Sequence, residues 1–429
     1  MKKELLLQKL NNGAFDKRFV ELYGASEEML ARQRARYIDA VNRFAALFPE
    51  RDELRLFSAP GRSEIGGNHT DHQHGCALGA AISLDKIAVV SFHDEGVIRF
   101  ASVGHDTHTV DFSDLEIRRE ETDSSISMIR GIAARFVKRG VEIGGFDAFS
   151  VSDVFSGSGL SSSASFEVLL GTIIDVGYNG GSTDPVEIAK IGQYAENVYY
   201  GKKSGLLDQT VCAVGGFVFV DFLDSADPVV KKCDFDFEAA GYHLCITHTR
   251  GSHADLSDDY TAVPTEMKSV ARQFGKEVLR EVDEEAFYRS VPDLRASCTD
   301  RAILRAAHFF GENRRAVEEA QALQRGDIDA FFRLYRASAH SSATLLQNLY
   351  STKTPQNQGI PMGLMMSRRL LGEDAAVRVH GGGFAGTIQA FVPIDKTAEY
   401  LGAMNALFGE NSCYILRVRP FGGIEVTEK

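Results

Sequence analysis

The residues with the most chemistry to offer sit in two glycine-flanked clusters. GRSEIGGNHTDHQHG, residues 61–75, packs three histidines, an aspartate, an asparagine, a threonine and a glutamate between glycines. A carboxylate such as Asp71 accepts from two adjacent hydroxyls at once, and His69 donates or accepts, so the stretch suits a ligand covered in hydroxyl groups. The rival is zinc on His69, Asp71, His72 and His74, but those ligands crowd six residues and no HExxH-like pattern accompanies them. His72 and His74 read as surface-loop histidines. The second cluster, FSGSGLSSSAS at 155–165, sets glycines and serines where a helical pattern begins. Open N–H groups and the dipole at a helix start bind anions, and serine hydroxyls donate to phosphate or ligate magnesium. An ordinary serine-capped helix would show the same residues.

No GxxxxGK[ST] loop exists, and GKK at 201–203 lacks both the hydroxyl and the upstream glycine. HGGGFAG at 380–386 matches GxGxxG, yet TIQAFVPI follows it and alternates like a strand, so a tight turn between strands is expected there. In SGLLDQ, Asp208 stands among Leu206, Leu207, Val211 and Ala213, where a carboxylate is costly without partners. It is either a helix-capping or turn acid, or a positioned base. Glu196 lies upstream on a probable helix.

These residues need a scaffold. Ser26, followed by Glu27 and Glu28, starts a helix whose Leu30, Tyr37, Val41 and Phe44 recur at helical spacing. Strand-like runs occupy 54–59, 86–92, 97–103, 217–223 and 242–249, with helical patterns at 126–138, 162–177 and 184–200. From 262 to 349 the pattern is mostly helical, and strands return in AAVRVH, TIQAFVP and SCYILRVRP. Strands, then helices, then strands predict an α+β protein in two domains, 1–238 and 239–429. With 429 residues, 44% hydrophobic and 25% charged, the chain suits that plan. A net charge of −12 argues against nucleic acid or an anionic membrane as partner. Six scattered cysteines without a CxxC pair suit a reducing compartment. The opening MKKELLL is too short in apolar residues for a signal-peptide core, and no apolar run spans a bilayer. A cytoplasmic protein is expected.

Taken together the motifs resemble galactokinase, of the GHMP kinase superfamily. APGRSEIGGNHTDHQHG keeps the length of that family's APGRVNLIGEHTDYNGG, and GSGLSSSAS parallels GGGLSSSAS. GLLDQ parallels GIMDQ, with Glu196 twelve residues before Asp208; HGGGFAG parallels TGGGFGG, and Arg250 with Tyr260 keeps a further spacing. The resemblance covers most of the chain. It implies two α+β domains with ATP and sugar in the cleft between them, and a monomer or weak homodimer. It implies phosphorylation of the C1 hydroxyl, with Asp208 as base or orienter and Arg62 offsetting charge. It implies Gly157, Ser158, Gly159, Leu160, Ser161, Ser162 and Ser163 around ATP phosphates, Ser163 and Glu196 on Mg2+, and Asn68, His69, Asp71 and Tyr260 on the sugar.

Asn68 stands where the family places a glutamate near the sugar's C6. Losing that charge suggests an acceptor altered at C6, galacturonate or arabinose. His72, Gln73 and His74 replace Tyr-Asn-Gly. A sensor that binds sugar and ATP without catalysis is the other alternative; such relatives tend to carry lesions in the serine loop, which is intact here.

Overall fold

The structure, a computed structural model, describes residues 1–154, 159–251 and 256–427. Gly157 and Ser158 lie outside the described residues. The larger sheet contains β1 (Arg55–Gly66), β2 (Cys76–Phe92), β3 (Val97–Ser102), β4 (His105–Asp111), β5 (Phe146–Ser152), β6 (Phe217–Asp221), β7 (Val229–Cys233) and β12 (Ile424–Glu425). The smaller sheet contains β8 (Tyr242–His248), β9 (Val377–His380), β10 (Thr387–Pro393) and β11 (Cys413–Leu416). Its order is β11-β8-β10-β9. The α+β architecture expected from the sequence is present.

Strand β2 organises the large sheet because it is long enough to serve two partners. Its second half, Lys86–Phe92, pairs with β5, its first half, Cys76–Ala80, pairs with β6, and β1 runs antiparallel along both. Alternate residues feed opposite faces. Phe57, Ala88 and Val90 pack under the helices Ser125–Lys138, Ser162–Tyr178 and Pro185–Ala195, whereas Leu56, Ile87 and Val89 pack under the N-terminal helices. Ser26 accepts the Met29 N–H at 3.2 Å and caps the helix Glu27–Leu47, as its position before two acids predicts.

Two contacts tie the C-terminal end of the chain to the large sheet. The chain returns to the large sheet at its C-terminal end, where Ile424 and Glu425 pair with Ser58 and Phe57 of β1. Residues 417–419 also run beside β2, with Ser83 N–H on Arg417 O at 2.8 Å and Arg419 N–H on Ala81 O at 2.9 Å. A shared core of Ile65, Leu78 and Ile82 with Leu244, Ile246 and Phe391 then joins the sheets. The glycine run at 381–383 links β9 to β10 as the expected turn.

Candidate active site

The phosphate-type loop and the end of β1 meet directly. Gly61 admits this: a Cβ there would lie 2.7 Å from Leu160 O, and the next residue, Arg62, donates its N–H to that same oxygen at 3.0 Å. The Arg62 guanidinium then spans the junction, donating from Nε to Asp208 Oδ1 at 2.6 Å and from Nη1 to Gly159 O at 2.5 Å. Burial works against the Arg62 charge, but Asp208 outweighs it and holds the guanidinium protonated. Asp208 is the second residue of the helix Leu207–Val214, so its carboxylate sits in a first turn and does not serve as the cap.

Ser161 precedes the helix Ser162–Tyr178 in left-handed conformation, φ +58°, unusual for a residue with a Cβ. Its hydroxyl does not cap its own helix; it donates to Asp208 Oδ2. The first N–H groups of that helix therefore take no cap from Ser161, which leaves them to an anion. Arg62, Gly159 to Ser163, Glu196, Lys202 and Asp208 together line a cleft of about 820 Å³, which continues past Lys86, Phe166 and Ser102. Burial pulls the Lys86 ammonium down to about 8 although Glu167 raises it, and its Nζ rests 4.8 Å from the Phe166 ring centre.

Glu196 is buried behind this cleft. Its Oε1 accepts from Lys202 Nζ at 2.9 Å and its Oε2 from Gln209 Nε2 at 3.0 Å; the same amide donates to Glu167 Oε2 at 3.0 Å. Burial, then the Glu196 charge, pushes Glu167 up to about 8, so one proton is retained in this acidic pair near neutrality. Ser163 and Glu196 are both hard oxygen donors on one cleft, the kind of set that magnesium takes. Among the described residues no group of three or more His, Cys, Asp or Glu is arranged to hold a metal.

The other signature residues gather around the 381–383 turn. His69 bonds Gly382 O through Nε2 at 2.9 Å, and Tyr260 donates to Gly383 O at 2.9 Å with its ring against Gly382. Asp71 accepts its neighbour's N–H, from His72, at 2.9 Å. Its other oxygen faces Gly205, where a Cβ would approach within 2.8 Å. Asp71 thus packs against the segment that leads into Asp208, and burial pushes its carboxyl up. Arg250, matched by spacing, braces the 408–412 segment through the Phe408 and Glu410 carbonyls.

Asn68, expected on the sugar, is held by the protein itself. Its side chain is fully buried and its amide is spent inside the protein. Nδ2 donates to Glu64 Oε1 and to Gly381 O, each at 2.8 Å, and Oδ1 accepts from Asn348 Nδ2 at 3.0 Å. Both Nδ2 hydrogens are thus used within the protein, and Oδ1 takes a second, longer contact from Ser342 Oγ at 3.5 Å. His72 corrects the expectation of a surface-loop histidine: it packs inward beside Gln73, and its Nε2 is sealed without a partner among the described residues. Sequence reasoning also passed over Glu64, Glu167, Lys202 and Gln209. Glu64 was findable, since it stands two residues past Arg62 on a strand and so shares its face.

Two family models match this chain: the galactokinase galactose-binding signature over residues 42–92 and the GHMP kinase N-terminal domain over residues 127–216. Galactokinase from Lactococcus lactis, solved with galactose, superposes with a TM-score of 0.75 at 22% identity, covering 90% of this chain and 98% of that one. Its fold is the GHMP kinase fold. Signature and domain together mark a sugar kinase, a phosphotransferase of the galactokinase type. Mevalonate kinase from Methanococcus jannaschii superposes with a TM-score of 0.61 at 14% identity, covering 85% of this chain and 98% of that one. A D-glycero-D-manno-heptose 1-phosphate kinase from Bacteriodes thetaiotaomicron gives 0.56 at 16% identity, covering 87% and 98%. The sugar kinase therefore shares its scaffold with kinases named for quite different alcohols, and its acceptor is decided by side chains. None of its described helices is long and apolar enough to cross a membrane.

Proposed function

We propose that this sugar kinase transfers the terminal phosphoryl group of ATP to the C1 hydroxyl of a galactose-type sugar. The observation that carries the reading is the Arg62–Asp208 pair at the open helix start. Phosphoryl transfer asks mainly for positioning and charge neutralisation. The uncapped N–H groups beginning at Ser162 and the backbone of Gly159 and Leu160 receive the phosphates. Arg62 sits between that loop and Asp208, where it offsets charge on the transferring group and the attacking oxygen. Asp208 accepts the hydrogen bond of the C1 hydroxyl and takes or orients its proton. Ser163 and Glu196 would hold Mg2+, which supplies charge neutralisation at the phosphates when bound. Lys202, already on Glu196, holds that carboxylate in place. Asp71, His69 and Tyr260 would contact sugar hydroxyls, and the protein works in the cytoplasm as a monomer or weak homodimer.

An acceptor altered at C6, galacturonate or arabinose, is the second reading, and Asn68 in place of an acid favours it. Against it, Glu64 bonds Asn68 and keeps a carboxylate in the neighbourhood, which supports a neutral sugar. The intact serine loop together with Arg62, Glu196 and Asp208 supports catalysis over a sensor role. ADP release measured across galactose, galacturonate and arabinose tests the reading: turnover is expected to be fastest with galactose. Absence of sugar-dependent ADP release with every acceptor overturns it.

A further inference from the structure

The 61–71 segment contains an exchange that the family pattern makes visible. Where APGRVNLIGEHTD has asparagine two residues after the arginine and glutamate six after it, this chain has Glu64 and Asn68. The two exchanged side chains touch: Asn68 Nδ2 donates to Glu64 Oε1 at 2.8 Å. Glu64 Oε1 also accepts from Arg378 Nη2 at 2.6 Å, so one oxygen of the carboxylate is fixed by two donors. The other oxygen, Oε2, accepts no bond from the described residues and is not sealed from solvent; the side chain keeps 11% exposure.

Where Glu64 points follows from the strand. Arg62 pairs with Ala81 and Glu64 with Gly79 without an intervening bulge, so the two side chains leave β1 on one face. Two residues along a strand span roughly 6.5 Å, about the reach from the anomeric oxygen of a hexose to its far end. Arg62 marks the transfer end through Asp208. Burial pushes the Glu64 carboxyl up, and Arg378 and then Arg62 pull it back, so Glu64 lies within the field of Arg62. Asn68, by contrast, spends both Nδ2 hydrogens on Glu64 and Gly381.

We propose that Glu64, clamped by Asn68 and Arg378, is the specificity-determining carboxylate of the acceptor site, with Oε2 accepting the hydrogen bond of the sugar's C6 hydroxyl. The assignment rests on the sugar kinase reading above. It makes the 64/68 pair a relocation of the acid, with the asparagine serving as its clamp.

The test compares galactose with 6-deoxygalactose, by ADP-release kinetics and by calorimetric binding to the purified full chain. Glu64→Gln is expected to cut the galactose over 6-deoxygalactose preference in kcat/KM by about 10- to 100-fold, the worth of one hydrogen bond to a charged group. The loss should appear in KM for galactose, with KM for ATP unchanged. An unchanged preference in a folded Glu64→Gln overturns the assignment. Should that variant fail to fold, the double exchange Glu64→Asn with Asn68→Glu carries the test, because it restores a carboxylate and an amide to the same pair. It is expected to keep the preference within about threefold; a collapsed preference overturns the relocation. A wild-type chain inert toward every sugar with ATP overturns the underlying reading, whereas an active wild type with an indifferent Glu64 overturns this inference alone.

Discussion

The two ends of the 62–68 segment are built on opposite terms. At the Arg62 end the charges stay reachable: Asp208 keeps 34% of its side chain exposed and Arg62 12%. At the far end Arg378 and Glu312 are fully buried. There Glu312 takes the Ser338 hydroxyl at 2.6 Å and the Gly67 and Asn68 N–H groups at 3.3 Å. His308 donates or accepts between Ser341 Oγ and Asn68 O at 2.8 and 2.9 Å. A buried, bonded network fixes backbone position, and an open pair keeps valences for substrate. The signature loop is therefore anchored from behind so that its front can recognise a ligand.

Substitutions at the two ends should fail differently. Asp208→Asn is expected to lower turnover by at least ~10²-fold with ATP affinity retained, a loss in the range of a removed general base. Stopped-flow ADP release and nucleotide titration check it, and normal turnover would remove Asp208 from the proton's path. Glu312→Ala should instead unfold the loop's support, costing about 3–5 kcal/mol because Arg378 and Arg315 lose a buried partner. Urea unfolding measures that, and a loss of activity without a loss of stability would contradict the division drawn above.

Acid should attack the anchored end first. Burial lowers His308 from 6.5 to about 4 although Glu312 pulls it up, so the folded chain binds fewer protons than the unfolded one in that interval. Stability then rises with pH there and is lost as pH falls from 6.5 toward 4. Burial raises Glu312, but Arg315, His308 and Arg378 together bring it down to about 2 from 4.5, which extends the loss below pH 4.5. Melting temperatures from pH 7 to pH 4 should fall, and less steeply in His308→Gln. The smallest expected effect is at Ser161→Gly. Relief of the left-handed φ should leave stability equal or higher by about 0.5–1 kcal/mol, while loss of the bond to Asp208 lowers turnover several-fold. Calorimetric melting and kinetics on the same sample separate the two.

Much of this was legible before any coordinates. The helix begun by Ser26, the helix start at Ser162 and the turn at 381–383 follow from local rules of capping, periodicity and glycine placement. Arg62, Asp208, Ser163 and Glu196 were named from motifs and share one cleft. The bonding of the Asn68 amide was not legible, because it depends on Gly381 and Asn348, far away in sequence. His72 was misread as a surface residue for the same reason: a loop's exposure is set by what packs over it.

By itself the sequence determined the period of each helix and strand, the positions of the glycines, and which side chains carry charge or hydroxyls, since these depend on neighbours within a few residues. Tertiary structure alone decided which groups are saturated and which stay open. Arg62 meets Asp208 across 146 positions and Glu64 meets Arg378 across 314. Hydrogen bonds saturate over about 3 Å, so only the folded chain settles which donor reaches an acceptor first.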